Sequence, residues 1–388
     1  MGFERLTAYL DSLEARYGVP GADLKITRGH ELVYRHMVGH RDYEKQIPVS
    51  SDDMYDIYSG SKPITMAGVM QLVEQGKLGL NDRLDKYFPE FAHMRYAPDF
   101  KFAFPLTWPN ESFRLLDATR PMVIHDLMSM TSGMSYDLNA APIREVIERT
   151  NGEAGTKELV AAMAKMPLLS DPGTHYSYSL SHDVLAGVVE VITGKRFRDY
   201  MRENVFEPLG IRRMYYQVPE AEKSHLSAQY AKNWDTGEIA PDSSMAYRLT
   251  KNYDSVGAGL VTSVDEYSKF TEAMANGGVG ATGNRILKPE SIALMSRNWL
   301  DDVQLQDFQL SGKVGYGYGL GVRTLIDDTK SRSPIGEFGW DGAAGCFVLI
   351  DTKNQVGLFY AQEILGMLEA YNEIHPTIRD LAYEAMGL

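Results

Sequence analysis

Ser59 and Lys62 stand three residues apart in Tyr58-Ser59-Gly60-Ser61-Lys62-Pro63, the only Ser-x-x-Lys spacing in the chain. A serine hydroxyl becomes a useful nucleophile only when a neighbouring base takes its proton. Residues three apart share a helix face, so a lysine at this spacing can reach the hydroxyl. The apolar run from Ile64 through Leu72 and Val73, closed by Gly76, predicts a buried helix with a glycine stop. Pro63 fits only near its first turn, because proline has no N–H to give. The pair is thus expected at a helix N-terminus, where partial positive charge favours a developing anion. The competing reading makes Ser59 a helix cap and Lys62 a solvated surface lysine.

The elements that must position this pair follow from periodicity. Leu6, Leu10, Leu13 and Tyr17 mark an amphipathic N-terminal helix. Ala22 to Thr27 and Glu31 to Val38 read as strands around the Arg28-Gly29-His30 turn, and Phe347–Ile350 and Val356–Tyr360 as a hairpin. Between them the chain is helix-rich: Ile124 to Met128, Arg144 to Met163, and a helix carrying Leu185, Val188, Val189 and Ile192 before Gly194. Pro376 opens a C-terminal helix. The aromatic, proline-containing stretch 92–120 reads as a wall over the site. Strand-bearing ends and a helical middle suggest a sheet domain from residues 1–75 and 246–388, with a helical domain of 76–245 inserted and the site between them.

Composition narrows the class. The apolar fraction of 44% is that of a globular enzyme, and a net charge of -13 argues against nucleic acid and anionic membrane surfaces as partners. One cysteine, Cys346, excludes an internal disulfide and a cysteine-rich metal site. His30-Glu31 and His36 lack the spacing of a zinc-binding H-E-x-x-H, so no metal or cofactor is expected. No apolar run approaches membrane-spanning length, and a soluble cytoplasmic protein is the simplest expectation. Gly278-Val279-Gly280-Ala281-Thr282-Gly283 matches G-x-G-x-x-G but follows a helix rather than a strand, so it reads as a plain loop.

Three segments in order resemble the serine β-lactamase and penicillin-binding-protein superfamily, on the branch of class C β-lactamases and family VIII carboxylesterases. They are Ser59-Gly60-Ser61-Lys62, Pro172-Gly173-Thr174 with Tyr178-Ser179-Leu180, and Trp340-Asp341-Gly342-Ala343. Connecting phrases such as Met130-Thr131-Ser132-Gly133 and Gly315-Tyr316-Gly317-Tyr318-Gly319 fit as well. The resemblance implies an α+β fold: an antiparallel sheet flanked by helices, packed on an all-helical domain. It implies Ser59 as the nucleophile of an acyl-enzyme and Lys62 and Tyr178 as proton carriers, with either one able to be the base. It implies an oxyanion hole from the N–H groups of Ser59 and Ala343. Trp340, Gly342, Leu180, Tyr136 and Tyr318 are the expected substrate contacts; Tyr136, Tyr316 and Tyr318 could equally be core aromatics.

Two departures from the β-lactamase pattern point to esters. Leu180 replaces an asparagine that binds a substrate amide, and Trp340 replaces a lysine that attracts a substrate carboxylate. Family VIII esterases share both features. Asp341 should point away from Trp340 by strand alternation. His182 and Asp183, adjacent on a helix, cannot form one relay with Ser59. The expectation is a serine carboxylesterase acting on a small-molecule ester or amide. The alternatives are a β-lactamase or D-aminopeptidase-type hydrolase, an acyltransferase, or a catalytically silent binding or sensor protein.

Overall fold

The computed structural model describes residues 2–99, 108–110, 112–243 and 247–388. Residues 100–107 and 111 of the expected wall, and the expected domain boundary at 245/246, lie outside the described residues.

The two ends of the chain build one sheet. Its strands are β1 (Gly21–Arg28), β2 (Glu31–Asp42), β3 (Ile47–Pro48), β4 (Tyr316–Tyr318), β5 (Arg323–Leu325), β6 (Phe338–Asp341), β7 (Phe347–Asp351) and β8 (Val356–Ala361). They lie in the order β4-β5-β6-β7-β8-β1-β2-β3, and each neighbouring pair is antiparallel. The strand–turn–strand patterns explain this: both hairpins form where expected, with Asp23 opposite Ala361 and Arg28 opposite Val356 joining the termini.

Side-chain alternation then gives the sheet two faces. Phe347, Leu349, Leu358 and Tyr360 pack with Leu6, Leu10, Ile378 and Ala382 of the terminal helices, α1 (Glu4–Asp11) and α5 (His375–Met386). Val348, Ile350 and Phe359 face the larger core, which includes α2 (Ser61–Glu74), α3 (Ser181–Thr193) and α4 (Val264–Ala275). Helix α2 is buried from Ser61 through Leu72. That matches its sequence, which is apolar on every side rather than along one stripe. It ends before Gly76, whose φ of +67° is the left-handed stop.

The middle of the chain is not helical throughout. Met214–Tyr215 pairs with Val261–Thr262, which also pairs with Tyr55–Asp56. Tyr230–Lys232 pairs with Ile239–Pro241 and, in parallel, with Ile364–Leu365. These two- and three-residue strands are too short to show a period of two, which is why the pattern reading missed them. Among the described residues, no helix is long and apolar enough to cross a membrane.

Candidate active site

The short strand Tyr55–Asp56 leads into a 3-10 turn, Tyr58–Gly60, that delivers Ser59 to the N-terminus of α2. Tyr58 has φ +44°, a conformation that costs a non-glycine residue energy. The turn is held from several sides. Ile57 N–H donates to Leu260 O (3.1 Å) and Gly60 N–H to Ile57 O (2.8 Å). The Tyr267 hydroxyl donates to Gly60 O (2.5 Å), and that of Tyr58 donates to Gln229. Ser61, the other serine of the motif, is buried and accepts Leu260 N–H (3.1 Å). Only Ser59 keeps access to solvent.

Two groups converge on Ser59 Oγ, and a third holds one of them. The Tyr178 hydroxyl lies 2.6 Å away and Lys62 Nζ 3.2 Å away. Trp340 Nε1–H donates to the Tyr178 hydroxyl (3.1 Å), with the two rings stacked at 5.5 Å. An indole can only donate. The phenol therefore accepts from Trp340 and gives its own hydrogen to Ser59 Oγ. Lys62 Nζ donates to the same oxygen, and it can take the Ser59 hydrogen only after losing a proton to become a neutral amine.

The surroundings of Lys62 favour that neutral form. The side chain is 0% exposed. Burial pushes its pKa down to about 7, and the Asp183 charge opposes the shift without cancelling it. Nζ donates to Gly257 O (2.7 Å) and lies over the rings of Tyr178 (4.5 Å) and Tyr136 (5.4 Å). Burial raises the Tyr178 phenol well above its ordinary value, against the pull of its bonds to Ser59 and Trp340. The arrangement can thus take a proton from Ser59 through Lys62 and hold a neutral phenol beside the same oxygen.

The oxyanion candidates are also adjacent. The 342–345 turn after β6 lies against the nucleophile turn: a Cβ on Gly342 would fall 2.3 Å from Ile57 O. Among the described residues, the N–H groups of Ser59 and Ala343 have no backbone acceptor, and both residues are partly open to solvent.

The other expected contacts divide. Tyr136 stacks on Tyr178 (5.4 Å) and Trp340 reaches it by its N–H, so both border the Ser59 site. Tyr318 does not line it: it is 0% exposed and meets Trp340 edge-on at 5.1 Å and 85°, supporting the indole from behind. Leu180 is 1% exposed and packed in the core, with its N–H on Ser135 O (3.0 Å). It is part of the scaffold under Tyr178 rather than a substrate contact. The Tyr316 hydroxyl donates to Glu337 (3.1 Å) and accepts from Arg379 (3.1 Å), away from the cleft. These tyrosines alternate with glycines, and spacing alone did not show which faces the site.

Asp341 points to the other face of the sheet, as alternation requires. There it meets Lys313, Arg323 (3.5 Å) and His375 (3.4 Å). His182 is buried against Met128 O (3.3 Å), and burial drives its pKa well down. His125 lies beside Asp126 (3.7 Å), and His175 pairs with Asp307 (2.8 Å). His30 and His36 pair with Glu272 and Asp11.

Two residues of the site were missed in the sequence. Asp183 accepts from the Tyr253 hydroxyl (2.7 Å) and Val256 N–H (3.1 Å). Its other oxygen and Lys62 Nζ both lie 3.1 Å from where a Cβ on Gly257 would sit, so a glycine there lets carboxylate and amine approach each other. The available signal was an acid in the first turn of a mostly apolar helix. Tyr247 meets Tyr58 (5.5 Å) and Tyr136 (6.0 Å) edge-on and completes an aromatic wall; nothing in its local sequence marks it.

Comparison with known proteins bears on the family and the fold. The family model described as Beta-lactamase matches residues 6–382. The chain belongs to the Beta-lactamase family. It is similar to Protein Rv1367c of Mycobacterium tuberculosis (strain ATCC 25618 / H37Rv), at 28% identity over 349 residues, 88% of this chain and 84% of that one. It is also similar to Esterase EstB of Burkholderia gladioli, at 26% identity over 377 residues, 89% and 86% of the two chains. Among solved structures it resembles EstCE1, titled a hydrolase with promiscuous acyltransferase activity, with a TM-score of 0.79, 23% identity and 98% of each chain covered. The β-lactamase-like fold, an antiparallel sheet flanked by helices, is therefore that of this Beta-lactamase-family chain, and the family is one of serine hydrolases and acyltransferases.

Proposed function

We propose that the chain is a serine carboxylesterase that turns over small acyl esters through an acyl-enzyme on Ser59. The observation that carries this is the convergence of Tyr178 (2.6 Å) and a wholly buried Lys62 (3.2 Å) on the one solvent-reachable serine of the motif. In this reading Lys62, neutral near pH 7, takes the Ser59 proton as Oγ attacks the ester carbonyl. The N–H groups of Ser59 and Ala343 receive the oxyanion. Tyr178 gives its proton to the departing alkoxide, which leaves a phenolate beside the Lys62 ammonium that now holds the Ser59 proton. Water then adds to the acyl carbon, with the same groups acting in reverse.

One observation favours esters over β-lactams. The Trp340 N–H is already spent on Tyr178, so the position offers a substrate carboxylate neither charge nor a free donor. The likeness to Esterase EstB adds support.

Intact-mass analysis after mixing with p-nitrophenyl acetate, p-nitrophenyl butyrate and nitrocefin tests the proposal. An acyl adduct from the esters, absent in Ser59→Ala, is expected, with nitrocefin turned over slowly or not at all. Equal turnover of nitrocefin and the best ester would replace the esterase reading with the β-lactamase one. No adduct from any acyl donor would leave a silent binding protein. Release of the acyl group only when an alcohol or amine is added would make it an acyltransferase.

A further inference from the structure

We propose that Tyr371 is a positioning residue that aims the Ala343 N–H into the oxyanion hole; this rests on the acyl-enzyme reading above. The Tyr371 hydroxyl lies 3.0 Å from Gly342 O and 2.9 Å from Ala343 O and donates to this pair of successive carbonyls. The Gly342 carbonyl and the Ala343 N–H are two ends of one peptide unit. In a planar trans peptide they point in opposite directions. Holding the carbonyl on the Tyr371 side therefore sends the N–H to the other side of the turn.

That turn is pressed against the segment carrying Ser59. Cys346 Sγ fills the gap between the two, 2.6 Å from where a Cβ on either Gly60 or Gly342 would sit, and its thiol meets Ile57 O at 3.2 Å. Both glycines are needed for this approach. The turn has glycine at both ends, with Gly345 at φ +95°, and Gly345 N–H also donates to Gly342 O (2.9 Å), so Tyr371 is the second donor on that carbonyl. If the 342–343 peptide rotates, the Gly342 carbonyl takes the place of the donor. The Tyr371 hydroxyl opposes that rotation by holding two carbonyls at once.

Tyr371 is itself braced. It lies in the π-helical turn Ala370–Ile374, a form often found at functional positions. Its ring meets His375 edge-on at 5.6 Å, and His375 Nε2 sits 3.0 Å from Gly345 O. Lys313 Nζ lies 5.5 Å above the ring. The C-terminal segment thus grips the turn through Tyr371 and His375.

The test is Tyr371→Phe, which removes one oxygen and leaves the ring. The expected result is a kcat for p-nitrophenyl butyrate about ten- to a hundredfold lower with KM little changed, short of the 10²–10³ for deleting a donor outright. A merely structural role would not move the preference for an ester over the matching thionoester. Sulfur is a poor acceptor, so that preference reports the hole and should narrow at least severalfold. Tyr316→Phe, which deletes a hydroxyl bonded to Glu337 and Arg379, should lower the melting temperature and leave the preference alone. Should Tyr371→Phe not fold, the same ratio is read in Tyr371→His, whose shorter ring cannot hold both carbonyls. An unchanged ratio in a folded Tyr371 variant, with wild type acylating Ser59, overturns this inference and leaves the esterase reading standing. A wild type that is never acylated removes both.

Discussion

Two of the buried cations, Arg323 and Lys62, are treated in opposite ways. Arg323, 2% exposed, meets Glu337 (3.3 Å) and Asp341 (3.5 Å), with Lys313 completing the cluster through Asp341. Burial alone would push its guanidinium toward neutrality, and Asp341 and Glu337 more than reverse that. Lys62 is equally buried, but among the described residues it has a carbonyl and a hydroxyl as hydrogen-bond partners and no salt bridge. Asp183 is close enough to raise its pKa and not to pair with it. A fully paired buried cation keeps its proton and holds structure. A buried lysine whose counter-charge is kept at a distance can exchange its proton near neutral pH. One charge ties strands β5 and β6 together; the other waits behind a serine.

The comparison is broken most directly by removing each cation. Lys62→Met should lower the acylation rate by about 10²–10⁴-fold, the usual range for a general base. It should also raise the melting temperature. With a folded pKa of about 7 against 10.5, the unfolded chain binds more protons between those values. Wild-type stability therefore rises with pH across that window, and the gain from Lys62→Met should shrink from pH 7 to 10. Arg323→Met should do the reverse, stranding Glu337 and Asp341 at a cost of about 3–5 kcal/mol. Its folded fraction should still be acylated at Ser59. Calorimetry and single-turnover acylation on both variants check the contrast.

A smaller effect sharpens it. Trp340→Phe keeps an aromatic ring beside Tyr178 and removes the N–H that orients the phenol. A neutral hydrogen bond contributes about 0.5–1.5 kcal/mol, so acylation should slow by roughly two- to tenfold. A loss as large as that of Lys62→Met would show that the indole does more than orient Tyr178.

Much of this was legible in the sequence because it is written in local terms. Ser59 and Lys62 share one helical turn, and the apolar run behind them could only be a buried helix. The β7–β8 hairpin shows as two apolar runs around a turn, and the N-terminal strands as two runs around Arg28-Gly29-His30. Trp340 and Asp341 fall on opposite faces because they are neighbours in a strand. What was illegible depends on pairing across the chain. The short strands from Met214 to Pro241 gain their identity from partners near residues 55, 261 and 364. Leu180 and Tyr318 lie in motif-like phrases but are buried, since a phrase does not say which side of it faces water. In sequence Asp183 reads only as the neighbour of His182, with which it cannot form one relay to Ser59. Its relation to Lys62 passes through Gly257, more than seventy residues away in sequence, and no spacing rule reaches that far.

The pH dependence of kcat/KM for ester hydrolysis, in wild type and Asp183→Asn, tests the central claim most directly. If Lys62 is the base, activity rises as it loses its proton, with an inflection at about 7. Asp183 raises that pKa, so its neutral replacement should move the inflection to lower pH. A wild-type inflection near 10, or one that stays in place in Asp183→Asn, would contradict a neutral Lys62 as the group that takes the Ser59 proton.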